Sequence, residues 1–257
     1  MSQASSPRRA EEPEFFTPEE WEVAAPDISH LITENEEPVD NIFSEKQQRL
    51  LTDALYNGWG GPGDDHKFLV CANVGVYNIV DRPSIVPDVL LSFDVEAHPD
   101  IWAKEHRSYL VWEFGKPPDL VVEIVSNKIG GEQSDKKIKY AAMRVMYYVV
   151  FDPECLLSDE ALTIYHLGGL SYRRHPDLYI PDYKLGLSLW EGEFENFHQT
   201  WLRWTDEAGN LISTGAEATA RERAEKERER AEKEAALKQV EQLAAQLRAL
   251  GHEPQVR

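Results

Sequence analysis

An apolar strand, a helix and a second apolar strand follow one another between Asp119 and Glu154. The stretch "DLVVEIVS" is continuously apolar apart from Glu123, "GEQSDKKIKYAAMRV" has a helix-forming composition, and "MYYVVFDPE" is again apolar. A helix between two strands is the usual crossover of a parallel pair, and continuous apolar runs suit strands that are covered on both faces. The unit predicts an α/β fold with a central sheet of mixed pairing, flanked by helices.

The segments on either side supply further predicted elements. A helix with Ser44 as its candidate N-cap precedes a strand with a turn near Asn73–Gly75. The other segments predict a further strand, a hairpin with Gly168 and Gly169 at its tip, and a short strand followed by a tryptophan-bearing turn. In chain order these segments are "FSEKQQRLLTDALYNGW", "KFLVCANVGVYNI", "IVPDVLLSFDVE", "ALTIYHLGGLSYRRH" and "YIPDYKLGLSLWEGEFEN".

Composition divides the chain into three parts. Residues 1–40 are rich in acids and prolines with little periodicity and predict a largely disordered leader. Residues 41–205 contain the predicted strands and helices of one domain. Residues 215–250 lack glycine and proline after the first residue and predict a charged helix.

The predicted C-terminal helix carries a short apolar seam. Val240, Leu243, Leu247 and Leu250 follow the 3–4–3 spacing of a coiled coil, whereas the upstream seam positions are mostly alanine or charged. Two interpretations stay open: an exposed helical tail supported by i,i+4 charge pairs, or a coiled-coil-like helix that dimerises or binds a partner.

Charge and cysteine content limit the classes of function. The 257 residues hold 46 acids against 27 Lys and Arg, a formal charge of −19, which argues against a passive nucleic-acid coat but not against a metal-dependent enzyme. Two cysteines form no disulfide framework or zinc motif. The sequence has no apolar run near the ~20 residues of a membrane span and no signal peptide, so we expect a cytoplasmic protein without membrane association.

Two strands each carry one carboxylate. Asp88 opens the strand after Pro87, and Glu123 lies within the most apolar strand. An ionised carboxylate at such a position is costly unless it is paired or binds a cation. Two carboxylates brought to one point of a sheet would offer the oxygen ligands that Mg²⁺ prefers, and such an ion polarises a phosphoryl oxygen and activates water.

Each carboxylate also has a structural interpretation. An aspartate after proline at a strand start is often a turn or cap residue. A strand glutamate such as Glu123 either faces solvent or pairs with a lysine of the following helix. The order and spacing of the two acids, with lysines after them, favour the site over these alternatives.

Residues 87–153 resemble the PD-(D/E)XK nuclease superfamily, and more narrowly the bacterial Uma family of restriction-endonuclease-like proteins. The resemblance is carried by "PDV" at Pro87–Val89, "DLVVEIVSN" at Asp119–Asn127 and "GGEQSDKKIKYAAMRVMYYVVFDPE" at Gly130–Glu154, with looser flanks over residues 40 to 200. It implies a restriction-endonuclease-like sheet and a site that holds Mg²⁺ or Mn²⁺.

The resemblance also implies residue roles. Asp88 matches the first metal-binding acid and Glu123 the second, and the carbonyl of Ile124 is a further candidate ligand. The superfamily lysine two residues after the second acid is replaced here by Val125, and Lys136 on the following helix matches the relocated lysine of the narrower family.

Neighbouring residues leave alternatives open. Lys128, on the turn after the strand, is the rival to Lys136 as catalytic lysine, and a salt bridge between Lys136 and Glu132 is the structural alternative. Glu45, at the head of the first helix, is interpreted as a surface charge, and Tyr140 as an aromatic at the edge of the core.

The leading functional hypothesis is a metal-dependent DNA endonuclease that hydrolyses phosphodiester bonds. The alternative is a catalytically silent nuclease-fold module that binds a partner or regulates, and assembles through its C-terminal helix. A nuclease acting on RNA or branched DNA is a weaker third hypothesis, since the sequence contains no RNA-binding module. Because double-strand cuts need two active sites, symmetry favours a homodimer.

Overall fold

The computed structural model describes residues 41–63, 67–79, 83–103, 106–126 and 131–249, without the side chains of 131–134. The predicted leader (1–40) lies outside these residues, as do Lys128 and Leu250. The division of the chain at residues 205 and 215 therefore stays a prediction, although the long C-terminal helix does begin at Gly215.

The described residues form four α-helices and eleven strands. The helices are α1 (Ile42–Gly58), α2 (Val111–Phe114), α3 (Gly131–Met143) and α4 (Gly215–Ala249). The strands are β1 (Phe68–Ala72), β2 (Val76–Tyr77), β3 (Val89–Phe93), β4 (Tyr109–Leu110), β5 (Leu120–Ile124), β6 (Tyr147–Phe151), β7 (Leu162–Gly168), β8 (Ser171–Arg174), β9 (Tyr179–Ile180), β10 (Leu185–Phe194) and β11 (Phe197–Thr205).

The central sheet has six strands in the order β1-β3-β5-β6-β7-β8. Only the β5–β6 pair within this sheet is parallel, and α3 makes its crossover. The predicted mixed α/β sheet flanked by helices, with a helix at the C-terminus, is confirmed. The predicted turn after β1 and the β7–β8 hairpin are also present, and the hairpin tip is Gly169–Leu170.

A second sheet of three strands, β11-β10-β9, corrects the prediction of a tryptophan-bearing turn. Trp190 lies within β10 and faces Trp201 of β11 in the register. The turn comes later, at Glu195 and Asn196, which both have positive φ (46° and 68°), as a two-residue hairpin with right-handed strand twist requires. β11 was not predicted, because its sequence mixes exposed polar and buried apolar residues without strict alternation.

Helix α1 begins one turn earlier than its predicted cap implies. Its N-cap is Asn41, whose side chain accepts a hydrogen bond from the Ser44 backbone N–H at 2.8 Å, so the prediction of Ser44 as the cap is wrong. Asparagine and serine satisfy the first free N–H groups of a helix equally well, which is why the sequence alone did not separate them.

The central sheet is covered on both faces. On one face, α1 and the second sheet pack over alternate residues of β3 and β5; this cluster includes Leu51, Leu55, Val89, Leu91, Val122, Leu202 and Trp204. On the other face, the buried residues belong to α3, β2, β4 and the strands beneath them, and include Val76, Leu90, Tyr109, Val121, Tyr140 and Tyr148. Glu123 shares the second face, since it lies two residues from Val121 on the same strand.

Helix α4 starts at the base of the domain and has no buried residue along its described length. At its N-terminus Thr214 and Glu217 cap each other: the Glu217 N–H donates to the Thr214 hydroxyl, and the Thr214 N–H donates to the Glu217 carboxylate. This reciprocal pair is a capping box. In the part of the chain that the structure describes, no helix has the length and apolar content to cross a bilayer.

Candidate metal and catalytic site

Asp88 and Glu123 lie opposite each other across two neighbouring strands. The antiparallel register of β3 and β5 pairs Val89 with Val122, and the next step of this register places Asp88 beside Glu123. Directly opposed residues of an antiparallel pair have Cβ atoms about 5 Å apart. The sheet itself therefore brings these two predicted acids together.

Asp88 is fixed by groups from two other elements. Its Oδ2 accepts a hydrogen bond from the backbone N–H of Ile124 at 2.6 Å. Its Oδ1 accepts from the side-chain amide of Gln48 on α1 at 3.2 Å. The same amide group of Gln48 is linked to Asn73, whose Nδ2 donates to Gln48 Oε1 at 3.2 Å. Asp88 is thus oriented by a polar network as well as by its strand.

Glu123 is almost completely buried, with 6% of its surface exposed. The Lys136 ammonium donates to its Oε2 at 2.8 Å, and the Tyr140 hydroxyl donates to its Oε1 at 2.6 Å. Both donors come from α3, where positions four residues apart share one face. Since α3 is the crossover between β5 and β6, it lies over β5 and directs this face at Glu123.

The environment of Glu123 favours its neutral form. Burial raises the pKa of this carboxyl above its usual value, against the lowering effects of the Lys136 charge and of hydrogen bonds from Lys136 and Tyr140. Burial and the nearby Glu123 carboxylate raise the pKa of the Tyr140 hydroxyl well above its usual value, so that Tyr140 acts here as a hydrogen-bond donor. Two neighbouring carboxylates also disfavour each other's ionisation, and a proton or a cation between them relieves this repulsion.

The lysine that reaches the site comes from the helix. Val125, at the position where the superfamily has its strand lysine, is partly buried and packs against the apolar cluster on the α3 face. Lys136 contacts Glu123 instead. Lys137 lies 3.4 Å from the ring centroid of Tyr165, and Lys139 is exposed. Lys137 therefore contacts an aromatic ring, and Lys139 faces solvent.

Two predicted alternatives for the lysine are not resolved by the geometry. Lys128 lies outside the described residues, and so does the side chain of Glu132. The comparison of Lys128 with Lys136 as the catalytic lysine, and the Lys136–Glu132 salt bridge, both stay predictions.

The sequence did not predict Gln48 as a site residue, and it predicted Tyr140 only as an aromatic at the edge of the core. Glu45 is paired with Arg49 and Lys46 on the surface, in agreement with its interpretation as a surface charge, and the neutral Gln48 of the same helix reaches Asp88. Gln48 is 4% exposed and lies three residues before the buried Leu51, on the inward face of α1. A polar residue on an inward helix face needs a buried partner, and this was the available signal.

The oxygen groups at the site fit a hard divalent cation. Asp88 and Glu123 supply carboxylate oxygens, which Mg²⁺ and Mn²⁺ prefer, and Mg²⁺ typically keeps several waters beside one or two carboxylates. Such an ion would relieve the repulsion between two neighbouring carboxylates at a buried position. Among the described residues, no group of three or more His, Cys, Asp and Glu side chains has the arrangement of a metal site.

A separate cavity of about 640 Å³ lies beside β1 and β4. It is lined mainly by apolar and aromatic residues, among them Leu69, Trp102, Tyr109 and Phe114. Asp88, Glu123 and Lys136 are not among its lining residues, so the carboxylates do not open into this cavity.

Comparison with known proteins identifies the family. The family model Uma2, described as "Putative restriction endonuclease", matches residues 26–184. Among solved structures, the chain is similar to a protein from Anabaena variabilis described as a putative nuclease belonging to DUF820, with 14% identity, a TM-score of 0.36 and coverage of 56% of this chain and 74% of that one. No curated protein matches. Because the family model spans more than half of the chain and includes Asp88 and Glu123, the chain belongs to the Uma2 family.

Proposed function

We propose that this protein is a metal-dependent DNA endonuclease that hydrolyses phosphodiester bonds with Mg²⁺ or Mn²⁺. One observation carries the proposal: the register of β3 and β5 places the buried Glu123 beside Asp88, and Glu123 accepts a hydrogen bond from the Lys136 ammonium. Membership of the Uma2 family supports nuclease function in general, whereas the metal dependence and the DNA substrate are our proposal.

In this proposal, Asp88 and Glu123 hold the cation and Ile124 contributes its backbone carbonyl. The bound ion would supply polarisation of a phosphoryl oxygen and a more acidic water. Tyr140 keeps Glu123 in position through its hydrogen bond, and Gln48 does the same for Asp88. These two donors would limit rotation of the carboxylates, which is the preorganisation that a catalytic site requires.

Lys136 is the residue that would act on the substrate. Its side chain is 28% exposed while that of Glu123 is 8% exposed, so the ammonium lies between the buried carboxylate and solvent. From there it would donate a hydrogen bond to a phosphate oxygen, where negative charge develops during hydrolysis, and orient the attacking water. An acidic chain needs such local positive charge, since phosphate binding depends on Lys and Arg.

Plasmid cleavage with Mg²⁺ or Mn²⁺ tests the proposal. We expect the wild-type protein to nick or linearise the plasmid and Glu123→Ala and Lys136→Ala to lose this activity while keeping the circular dichroism spectrum of a folded protein. Cleavage by Glu123→Ala at the wild-type rate would refute the assignment.

The alternative is a catalytically silent module with a nuclease fold. Its specific support is that both oxygens of Glu123 already accept hydrogen bonds from protein groups, and that the chain is strongly acidic. Calorimetric titration with Mg²⁺ or Mn²⁺ separates the two functions. Binding that disappears in Asp88→Ala and Glu123→Ala supports the nuclease, and heats that are the same in all three proteins support the silent module.

A further inference from the structure

An aliphatic stripe lies exposed on the second half of α4. Leu237 and Val240 are each 57% exposed, Leu243 is 51% exposed and Leu247 is 41% exposed. The helix projects from the domain without a buried residue along its described length. Four large aliphatic side chains on one helical segment are more than the isolated apolar residues that a protein surface normally carries.

The charge of α4 differs from that of the remaining chain. The helix holds eight Glu against eight Lys and Arg and is therefore neutral, whereas the chain as a whole carries −19. Pairs four residues apart, such as Arg228–Glu232 and Arg230–Glu234, connect these charges along the helix surface. Two copies of the acidic domain repel each other, but two copies of this helix do not, and charge therefore favours contact between copies at α4.

We propose that α4 binds the α4 of a second copy of this chain in an antiparallel coiled coil centred between Val240 and Leu243. The direction follows from the seam positions upstream of the stripe. Extending the 4–3 spacing from Val240 towards the N-terminus gives Ala236 and then four charged residues: Lys233, Glu229, Lys226 and Glu222. A parallel, in-register pair would place each of these against its own copy, and like charges in a seam are strongly unfavourable.

An antiparallel pair avoids these contacts and buries Val240, Leu243 and Leu247 of the stripe. Seam positions of opposite type face each other in this arrangement, so that Val240 packs on Leu243 of the second copy and Ala236 packs on Leu247 of the second copy. Because each contact occurs twice, the pair forms four apolar layers of matched large and small residues. Gln239 and Gln246 flank the seam and carry no charge, so the sides of the interface add no repulsion.

The base of α4 is fixed to the domain, so pairing would also set the distance between domains. Arg203, which is 2% exposed, forms two hydrogen bonds to Glu217 at 2.7 and 2.8 Å. Asp53 on α1 accepts from the Gly215 N–H at 2.9 Å. About 26 helical residues separate this base from the centre of the seam, which at 1.5 Å per residue places the two domains about 80 Å apart at opposite ends of the paired helices.

Sedimentation velocity on the full chain tests the association. We expect a reversible dimer whose fraction increases with concentration, and a monomer at all concentrations for Leu243→Glu/Leu247→Glu. Leu170→Glu is the matched control, since Leu170 is 79% exposed at the β7–β8 hairpin tip, and we expect it to dimerise like the wild type. A monomeric wild type, or a dimer that survives the double substitution, would overturn the proposal.

Spin labels test the direction of pairing. In a Cys71→Ala/Cys155→Ser background, which removes both native cysteines, a label at Ala224→Cys lies about 17 residues from the centre of the seam. Electron–electron distance measurement should give about 50 Å for the antiparallel pair and about 10–20 Å for a parallel one. The short distance would overturn the proposed direction. Neither measurement depends on DNA cleavage, so the dimer can fail while the proposed nuclease stands, and the reverse.

Discussion

Glu123 and Glu217 each accept hydrogen bonds from one basic side chain, yet the pKa of the two carboxyl groups moves in opposite directions. Burial raises the pKa of Glu123 more than Lys136 and Tyr140 lower it. Burial also acts against ionisation of Glu217, but hydrogen bonds from Arg203 and the Thr214 backbone, together with the Arg203 charge, outweigh it, and the pKa of Glu217 falls.

The difference separates a structural ion pair from a candidate catalytic one. Glu217 meets two guanidinium nitrogens with its two oxygens and closes the cap of α4, so its charge is fully matched. Glu123 lies beside a second acid, Asp88, in the strand register, and the Lys136 charge does not compensate for burial. Carboxyl groups held in such unfavourable electrostatic positions cluster at functional sites.

The largest expected effect is the loss of activity in Glu123→Gln. The amide keeps the size of the side chain but removes the charge that would hold a cation, and we expect plasmid nicking to fall by at least about 1,000-fold, or about 4 kcal/mol of transition-state stabilisation. Because the substitution removes a buried charge, thermal unfolding should occur at the same or a higher temperature. Nicking that persists in Glu123→Gln would contradict the catalytic role of Glu123, which would then be a structural residue like Glu217.

Substitution of Lys136 should have the next largest effect. Lys136→Ala removes the ammonium that we place against the phosphate, and loss of one such donor typically costs about 100-fold in rate. Lys139→Ala is the matched control on the same helix, because Lys139 is exposed, and it should cleave at the wild-type rate under single-turnover conditions. Equal rates for the two variants would count against the role of Lys136.

Gln48→Ala should reduce cleavage by about 10-fold, since it releases one oxygen of Asp88 without removing a charge. The neighbouring Gln47 is the control. Its side-chain amide bonds both the N–H and the carbonyl of Leu202 at 2.8 Å, so Gln47→Ala should lower the free energy of unfolding by about 1–3 kcal/mol. We expect the folded Gln47→Ala protein to keep its rate. A reversal of these two outcomes would show that Gln48 has a structural role only.

Glu217→Gln should destabilise the protein and leave cleavage unchanged. The Glu217 side chain is 41% exposed, so solvent screens the pair, and we expect a loss of about 1 kcal/mol. Urea unfolding followed by circular dichroism measures this loss. A drop in nicking by folded Glu217→Gln would indicate that the base of α4 affects the site.

The smallest effects should appear in the pH dependence of stability, with opposite signs. The raised pKa of Glu123 favours the folded state below its unfolded value of 4.5, and this contribution is lost as the pH rises through the folded pKa. The lowered pKa of Glu217 favours the folded state above 4.5, and this contribution is lost as the pH falls.

Metal-free urea unfolding of wild type and the two Gln variants between about pH 4 and pH 7 measures both contributions. The stability of wild type relative to Glu123→Gln should fall as the pH increases, while its stability relative to Glu217→Gln should rise. Curves of the same sign for both pairs would contradict the comparison.

Much of the sheet could be predicted because its strands are unusually apolar. The strands β5 and β6 are buried along their whole length, and α3 lies between them, so one arrangement was strongly favoured. The same property drew attention to Glu123, which interrupts an apolar run. The second sheet was less predictable, because β10 and β11 extend beyond the core. The outer half of β10 alternates between exposed and partly buried residues, and the outer half of β11 is exposed.

The parts of the site that escaped prediction are neutral. Gln48 has no charge to attract attention and lies 40 residues before its partner Asp88, and no local pattern links two residues at that separation. Tyr140 looked like an aromatic of the core, and it is fully buried there. Only its hydroxyl, which donates to Glu123, distinguishes it from a purely apolar contact.

The replacement of the strand lysine by Val125 has a consequence for how relatives of this protein are recognised. A linear pattern that demands an acid and a lysine two positions later would reject this chain, although an ammonium group lies 2.8 Å from the strand glutamate. Relatives of this protein are better recognised by where the lysine amine lies in space than by where the lysine stands in the sequence.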